Sequence, residues 1–364
     1  MEKQSLDFSA IVDPLLVWYA DHRRALPWRD DPTPYHVWIS EIMLQQTRIE
    51  AVLPYYHRFL AASPDVASLA ALDDDALMKL WQGLGYYSRA RNLKKAAQVI
   101  MEQHGGQFPC DYTALRALPG VGDYTAGAIS SIAFGLPEPA VDGNVLRVIM
   151  RLAADNADIL ADSVKKQVRD QLRAIYPRQV EQAAAMTQAL MELGQRVCIP
   201  NGQPHCDECP LGAFCMARAA DLTDSIPYRS PKKPRRIEER TILLLCREES
   251  ESDGTCVMRY AIRKRAPKGL LASLWEFPSM DGYLSASDVQ NAVQAIYAPL
   301  TATDIQTAAE AVHIFSHIEW HMRGYRLLCQ GDCVDGELIW ASADELRTIY
   351  ALPSAFRAYL AEIK

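Results

Sequence analysis

The scarcities of this chain narrow its function first. No apolar run approaches the ~20 residues of a membrane-spanning helix. The opening stretch MEKQSLDFSAIVDPLL lacks a basic segment followed by a long apolar core, so no secretory signal is expected. The expectation is a cytoplasmic protein with reduced thiols. Low-complexity segments and internal repeats are also missing, which argues against disordered and solenoid classes. Basic charge is in the minority: 38 Lys and Arg stand against 45 Asp and Glu, for a net charge of −7. This opposes a uniformly basic nucleic-acid binder, but leaves room for a local patch and backbone donors.

What remains is globular. The 364 residues are 49% hydrophobic and 23% charged, and the length suits two domains. Residues 1–225 read as helix throughout. Leu77, Leu80, Trp81 and Leu84, then Leu93, Ala96, Ala97 and Ile100, are spaced by threes and fours, interrupted at Gly83 and Gly85. VKKQVRDQLRAIY and EQAAAMTQALMELGQRVC repeat the period. Residues 226–240 are rich in Pro and basic side chains, with Arg229, Lys232, Lys233, Arg235, Arg236 and Arg240, and read as an exposed linker. Residues 241–364 read as α+β. TILLLC and CVMRYAIRKRA suit strands, AVHIFSHIEWHMRGYRLLCQG suits a strand, a loop and a strand, and Ser285 and Ser342 are placed to cap helices.

The nine cysteines are unevenly spread, with Cys198, Cys206, Cys209 and Cys215 in one short segment of the form C-x7-C-x2-C-x5-C. Such density in a reducing compartment points to metal. Four thiolates close a tetrahedral zinc site or bind the irons of a [4Fe–4S] cube. Zinc ribbons usually carry two CxxC pairs, and here only Cys206 and Cys209 form one, so the compact loop suits a cube. His205 is expected at the surface.

The stretch LPGVGDYTAGAI joins a glycine turn to a helix start, an arrangement whose backbone N–H groups suit a phosphate. Alone it is equally an ordinary turn. Two acids add weight. Glu41 interrupts the apolar YHVWISEIMLQQTR, and Asp142 precedes helical NVLRVIMRLA as a natural N-cap. A buried Glu keeps its proton and acts as a general acid, whereas a capping Asp stays ionised and stabilises a cation. That pairing serves cleavage of a glycosidic bond. The structural alternatives are a Glu41 paired to an arginine such as Arg29 and an Asp142 that only caps.

In order along the chain, LPWRDDPTPYHVWISEIMLQQT, WQGLGYYSRARNL, LPGVGDYTAGAI, AVDGNVLRV, the cysteine loop, GLLASLWEFP and HIFSHIEWHMRGY resemble the MutY-type adenine DNA glycosylases of the helix-hairpin-helix, endonuclease III superfamily. The resemblance implies an all-α N-terminal glycosylase domain over 1–225, with the hairpin at about 113–130 and an iron–sulfur loop at 198–215. It implies a Nudix-like α+β domain over 241–364. It further implies a [4Fe–4S] cluster, a monomeric, nucleoid-associated enzyme, and removal of adenine opposite 8-oxoguanine or guanine in duplex DNA. The first cysteine gap is seven residues where the family usually has six, and the extra residue is expected at Asn201-Gly202.

By the same resemblance, Arg24, Leu26, Trp28, Arg29, Ile49 and Gln188 line the adenine pocket. Glu41 protonates adenine, Asp142 stabilises the sugar cation, Asn144 orients water and Glu41, and Tyr124 lies beside Asp142. Gln46, with Thr47 beside it, fills the space left by the flipped base, and Tyr86 wedges next to the lesion. Gly120 and Gly122 clamp a phosphate, and Phe315, Ser316 and His317 form the loop that reads 8-oxoguanine. In the endonuclease III branch a lysine occupies the place of Tyr124 and forms an imine; a phenol does not, so a monofunctional enzyme is expected. The C-terminal domain lacks the REx2EE metal-binding set of Nudix hydrolases, which favours a reader of the damaged base. The competing readings are a bifunctional pyrimidine-lesion glycosylase and a non-enzymatic iron–sulfur DNA-binding or electron-transfer protein.

Overall fold

The computed structural model describes residues 6–231, 233–252, 254–331 and 338–363. Lys232 and Cys333 lie outside the described residues. The chain divides into two compact units, Met1–Ala71 with Arg91–Pro231, and Leu72–Ala90 with Lys232–Lys364.

Among the described residues no strand precedes Arg236. The helices are α1 (Val12–His22), α2 (Pro27–Asp30), α3 (Pro34–Leu44), α4 (Ile49–Ala62), α5 (Val66–Ala71), α6 (Asp74–Trp81) and α7 (Ser88–Gln103). After these come α8 (Tyr112–Arg116), α9 (Asp123–Ala128), α10 (Gly143–Leu152), α11 (Asp162–Ile175), α12 (Val180–Arg196) and α13 (Met216–Ala219). The core of the first unit gathers α1, α10 and α12 through Leu15, Val145, Ile149, Ala189 and Leu190, all at most 1% exposed. Helix α10 is buried from Val145 to Leu152, arginines included. Arg147 and Arg151 are tolerated because each is bonded to carbonyls: Arg147 to Cys198 and Gly194, Arg151 to Ile226 and Ile199.

The hairpin has α8 and α9 as its arms. Asp111 caps α8 by accepting from the Ala114 N–H at 2.8 Å. Gly120 turns the chain at φ +75°, and a Cβ there would meet the Asn92 Cβ at 2.5 Å, so both conformation and space require glycine. Gly122 faces open space at an ordinary φ of −93°. Asp123 is a strut of the hairpin, accepting from the Tyr112 hydroxyl at 3.0 Å and pairing with Arg116 and Arg169.

In the second unit, strands β1 (Arg236–Ser250), β2 (Cys256–Lys264), β3 (Trp275–Glu276), β4 (Ser279–Asp281), β5 (Thr301–Ile314), β6 (Ile318–Gln330) and β7 (Ile339–Ser342) form a mixed sheet of order β3-β2-β1-β6-β5. Strand β4 pairs with β1 and β7 with β2. Among the described residues only β1 and β6 run parallel, in the register Leu243↔Tyr325. The six residues Thr241–Cys246 are all buried because both faces of β1 are covered. Leu243 and Leu245 pack with Val289 and Val293 of α14 (Ala286–Ile296), while Ile242 and Leu244 pack with Leu346, Phe356 and Tyr359 from the C-terminal α15 (Ala343–Thr348), α16 (Arg357–Ala361) and the turn between them. Ser285 and Ser342 cap α14 and α15 in reciprocal capping boxes.

Two boundaries differ from those expected. Strand β1 begins at Arg236, five residues inside the segment read as linker, because its first residues pair with Ile318–Met322 of β6. Residues 72–90, read as part of the helical domain, belong to the second unit. Lys79 donates to the carbonyls of Arg347 and Tyr350 at 2.6 and 3.1 Å, Gln82 donates to that of Leu352 at 2.7 Å, and Asp75 pairs with Lys264 at 2.7 Å. These donors satisfy carbonyls at and just beyond the end of α15, which the helix itself leaves open.

Candidate active site

A cavity of about 700 Å³ opens in the first unit. Its walls come from the loop before α2, the end of α3 with the loop that follows, the start of α9, the N-cap of α10 and one face of α12.

Glu41 projects from α3, whose start is set by Pro34 at the first position and by Thr33, which accepts from the His36 N–H at 3.2 Å. The side chain is embedded among apolar neighbours and Glu41 is 5% exposed. The Tyr124 hydroxyl donates to its Oε2 and also lies 3.9 Å from the Met191 sulfur. Burial pushes Glu41 up to about 7, against the opposing effects of the Tyr124 hydrogen bond and the Arg29 charge; the nearby Asp142 adds to the rise. The Tyr124 phenol is itself held far above its ordinary value by burial beside Glu41 and Asp142.

Asp142 caps α10. Its Oδ1 accepts from the N–H groups of Asn144 and Val145 at 2.9 and 2.8 Å, and its Oδ2 accepts from the Asn144 amide at 2.8 Å. Burial raises Asp142 above the usual aspartate value, while these three donors pull the other way. The Asn144 Oδ1 accepts from Arg147 at 2.9 Å. Asn144 thus joins Asp142 to Arg147 and lines the same cavity as Glu41.

The opposite wall carries an ion cluster. Glu192, fully buried on α12, accepts from Arg24 Nε at 2.5 Å and from Arg29 at 2.8 Å. Arg29 is thus the partner of Glu192, and the alternative that it pairs with Glu41 does not hold. The Tyr19 hydroxyl donates to Gln188 Oε1 at 3.1 Å.

Of the residues singled out in the sequence, Arg24, Leu26, Trp28, Arg29, Glu41, Gln46, Thr47, Ile49, Tyr124, Asp142, Asn144 and Gln188 all line this one cavity. Gly120 and Gly122 do not. Val37, Leu44, Gln45, Arg48, Glu50, Ile132, Met191 and Gln195 complete the lining and were not anticipated. Glu192 was missed as well, although a lone acid in an apolar helix is the signal that marks Glu41. Gln46 and Tyr86, the two expected wedges, both take left-handed backbone angles, φ 60° and 47°, which non-glycine residues adopt only under constraint.

Tyr86, Phe315, Ser316 and His317 belong to the second unit. The Tyr86 hydroxyl and Ser316 Oγ are 3.0 Å apart. Ser316 and His317 are exposed at a tight turn closed by the Phe315 N–H and the Ile318 carbonyl at 2.8 Å. Phe315 instead packs edge-on against His313 and Trp320, at 4.6 and 4.9 Å, and anchors the turn.

Cys198, Cys206, Cys209 and Cys215 line a separate small cavity of about 30 Å³ with Val197, Pro204 and Gly212. Arg151 donates to Cys198 Sγ at 3.3 Å and the Arg218 N–H to Cys215 Sγ at 3.4 Å. Among the described residues no three His, Cys, Asp or Glu side chains are grouped to hold one metal ion. Gly202, at φ +77°, is exposed in the seven-residue gap.

Residues 39–177 match the HhH-GPD superfamily of base excision DNA repair proteins, and residues 255–362 match the NUDIX domain. The chain is 32% identical to the adenine DNA glycosylase of Rattus norvegicus, over 97% of this chain and 78% of that one. It is 33% identical to the Homo sapiens adenine DNA glycosylase, over 97% and 74%, and 30% identical to that of Schizosaccharomyces pombe, over 99% and 90%. This chain belongs to the adenine DNA glycosylase family. Among solved structures, a thermostable thymine-DNA glycosylase is similar over 58% of this chain and 96% of that chain, with 27% identity and a TM-score of 0.51. The likeness agrees with the HhH-GPD match of the helical unit, and the Nudix match agrees with the mixed sheet of the second unit. No helix among the described residues is long and apolar enough to cross a membrane.

Proposed function

We propose that this adenine DNA glycosylase family member hydrolyses the N-glycosidic bond of adenine opposite 8-oxoguanine or guanine in duplex DNA and leaves an abasic site. The observation that carries the reading is one cavity holding a carboxyl group shifted to about 7 and a second carboxyl held by three donors. Glu41 enters protonated and delivers its proton to the departing adenine. Tyr124 fixes the Glu41 carboxyl. Asp142, to which all three of its hydrogen-bond partners donate, faces the oxocarbenium-like sugar as a carboxylate. Adenine reaches the cavity by flipping out of the duplex, and Gln188, Arg29 and Trp28 bound the space that receives it.

No lysine is among the residues that line the cavity, and Tyr124 occupies the position from which an amine would attack, which supports a monofunctional hydrolase acting through water. The exposed Ser316-His317 turn, hydrogen-bonded to Tyr86, supports a reader of the base opposite adenine.

The four cysteines fit a [4Fe–4S] cluster better than zinc. Only Cys206 and Cys209 form a CxxC pair, and all four cysteines sit in one compact loop around one small cavity, which supports a cube over a two-knuckle zinc site. Cys198, Cys206, Cys209 and Cys215 would hold the cluster, which supplies rigidity to the loop. Monomeric action and a cytoplasmic, nucleoid-associated site complete the proposal.

The test is single-turnover incubation with duplexes carrying adenine opposite 8-oxoguanine, guanine or thymine. Free adenine from the first two, with strand scission only after alkali, is expected. Strand cleavage without alkali, or an imine trapped by borohydride, overturns the monofunctional reading. DNA binding with no base release from any duplex overturns the enzymatic one.

A further inference from the structure

We propose that Glu192 is a positioning residue for the acid step: by holding Arg29 in a buried ion pair, it keeps that guanidinium off Glu41. The inference rests on Glu41 acting as the acid. Glu192 is 0% exposed and spends both oxygens on cations. Oε1 accepts from Arg24 Nε at 2.5 Å, and Oε2 accepts from a second Arg24 nitrogen at 3.0 Å and from Arg29 at 2.8 Å. A further nitrogen of Arg29 donates to the Arg24 backbone carbonyl at 3.0 Å, and its guanidinium lies 5.7 Å from the centre of the Tyr19 ring. Arg29 is therefore fixed on three sides.

The restraint matters because Arg29 and Glu41 line the same cavity. The groups that act on Glu41 are Tyr124 from α9, Asp142 at the cap of α10, and Arg29 from α2, the one cation of the three. A buried acid beside an unneutralised guanidinium loses its proton to become the partner of that charge. Glu192 in turn faces Arg24, Arg29, the Tyr19 phenol, and Arg196 at 3.7 Å. With Glu192 ionised, Arg29 acts on Glu41 as half of a pair. Without that charge Arg29 acts on it as a free cation, or turns toward it.

The experiment is the pH profile of adenine release under single turnover, from pH 5.5 to 9, with the full chain and a duplex bearing adenine opposite 8-oxoguanine. In Glu192→Gln the alkaline limb is expected to move about one pH unit toward acid, so the rate at pH 8 relative to pH 6 falls roughly fivefold further than in the wild type. In Arg29→Gln the limb is expected to move toward alkali, and adding Glu192→Gln to it is expected to move the limb no further. A uniform loss at every pH in Glu192→Gln makes the residue merely structural and overturns the proposal. If Glu192→Gln does not fold, Glu192→Asp takes its place: the shorter carboxylate loosens its hold on Arg29, and the limb is expected to move toward acid by less than about one pH unit. An unmoved limb there overturns the proposal. A wild type that releases no adenine defeats the proposed function itself, and one that releases it without an alkaline limb defeats the acid role of Glu41 on which Glu192 depends.

Discussion

Glu276 of the sheet unit and Glu41 of the helical unit are both buried, and their surroundings differ. In the sheet unit, Glu276 on β3 is 2% exposed and both its oxygens are taken by arginines, Arg263 and Arg265. In the helical unit, Glu41 is 5% exposed, opens onto a cavity, and receives one phenol hydroxyl. Burial alone does not make an acid reactive. A buried carboxyl with matched cations is a brace, and one without them keeps its proton and has it to give.

The sharpest way to break this comparison is to neutralise each acid in turn. Glu41→Gln is expected to lower the single-turnover rate about a thousandfold or more while DNA binding persists, because the amide has no proton to donate. Glu276→Gln is expected to leave adenine release unchanged but to lower unfolding free energy by roughly 3 kcal/mol, since two guanidinia lose their counter-charge. Rate assays and denaturant titrations on both variants check the pair. A large rate loss in the second variant would show that the contrast is false.

Acidity sharpens the same contrast. With Glu41 near 7 in the fold and about 4.5 when unfolded, the working proton is present below pH 7, and activity is expected to fall about tenfold per pH unit above it. The sign for stability follows from the raised value. The neutral carboxyl stabilises the fold fully below pH 4.5, and that contribution is lost as pH rises toward 7. Glu41→Gln is therefore expected to be more stable than the wild type at pH 8, by roughly 2 kcal/mol, and to show no such gain at pH 4. Thermal melts at the two pH values decide it.

Much of this site is legible in the sequence, and the reason is local chemistry. Glu41 stands out as a lone acid in an apolar helix, Asp142 as a cap two residues before Asn144, and the cysteine loop by spacing alone. The strands of the sheet unit are equally readable, because TILLLC is buried on both faces. What escapes is non-local. Glu192 looks like Glu41 in the sequence, and what tells them apart is the arrival of Arg24 and Arg29, 168 and 163 residues away. Residues 72–90 carry an ordinary helical period, and their carbonyl partners at Arg347 and Tyr350 lie 268 and 271 residues on. Periodicity reports which face of an element is buried and is silent on what buries it.

A smaller effect is expected at the turn of the sheet unit. Ser316→Ala removes a hydroxyl that bonds to Tyr86 at 3.0 Å and is exposed to a partner. Loss of one such hydrogen bond costs about 1 kcal/mol, so adenine release opposite 8-oxoguanine is expected to slow roughly fivefold. Release opposite guanine should change less. Equal slowing on both duplexes would mean that Ser316 holds Tyr86 without reading the opposing base.

The least effect is expected where the chain has most freedom. The cysteine loop carries seven residues between Cys198 and Cys206, and exposed Gly202 takes a left-handed φ of +77° with nothing near its Cβ position. A side chain there meets no neighbour, so the cost is the backbone conformation alone, about 1 kcal/mol. Gly202→Ala is expected to lower stability by that amount, with the visible absorbance of the proposed cluster and the adenine-release rate unchanged. Bleaching of the absorbance would place Gly202 in the support of the four cysteines, and the gap would then be a working part of the cluster loop instead of slack taken up at the surface.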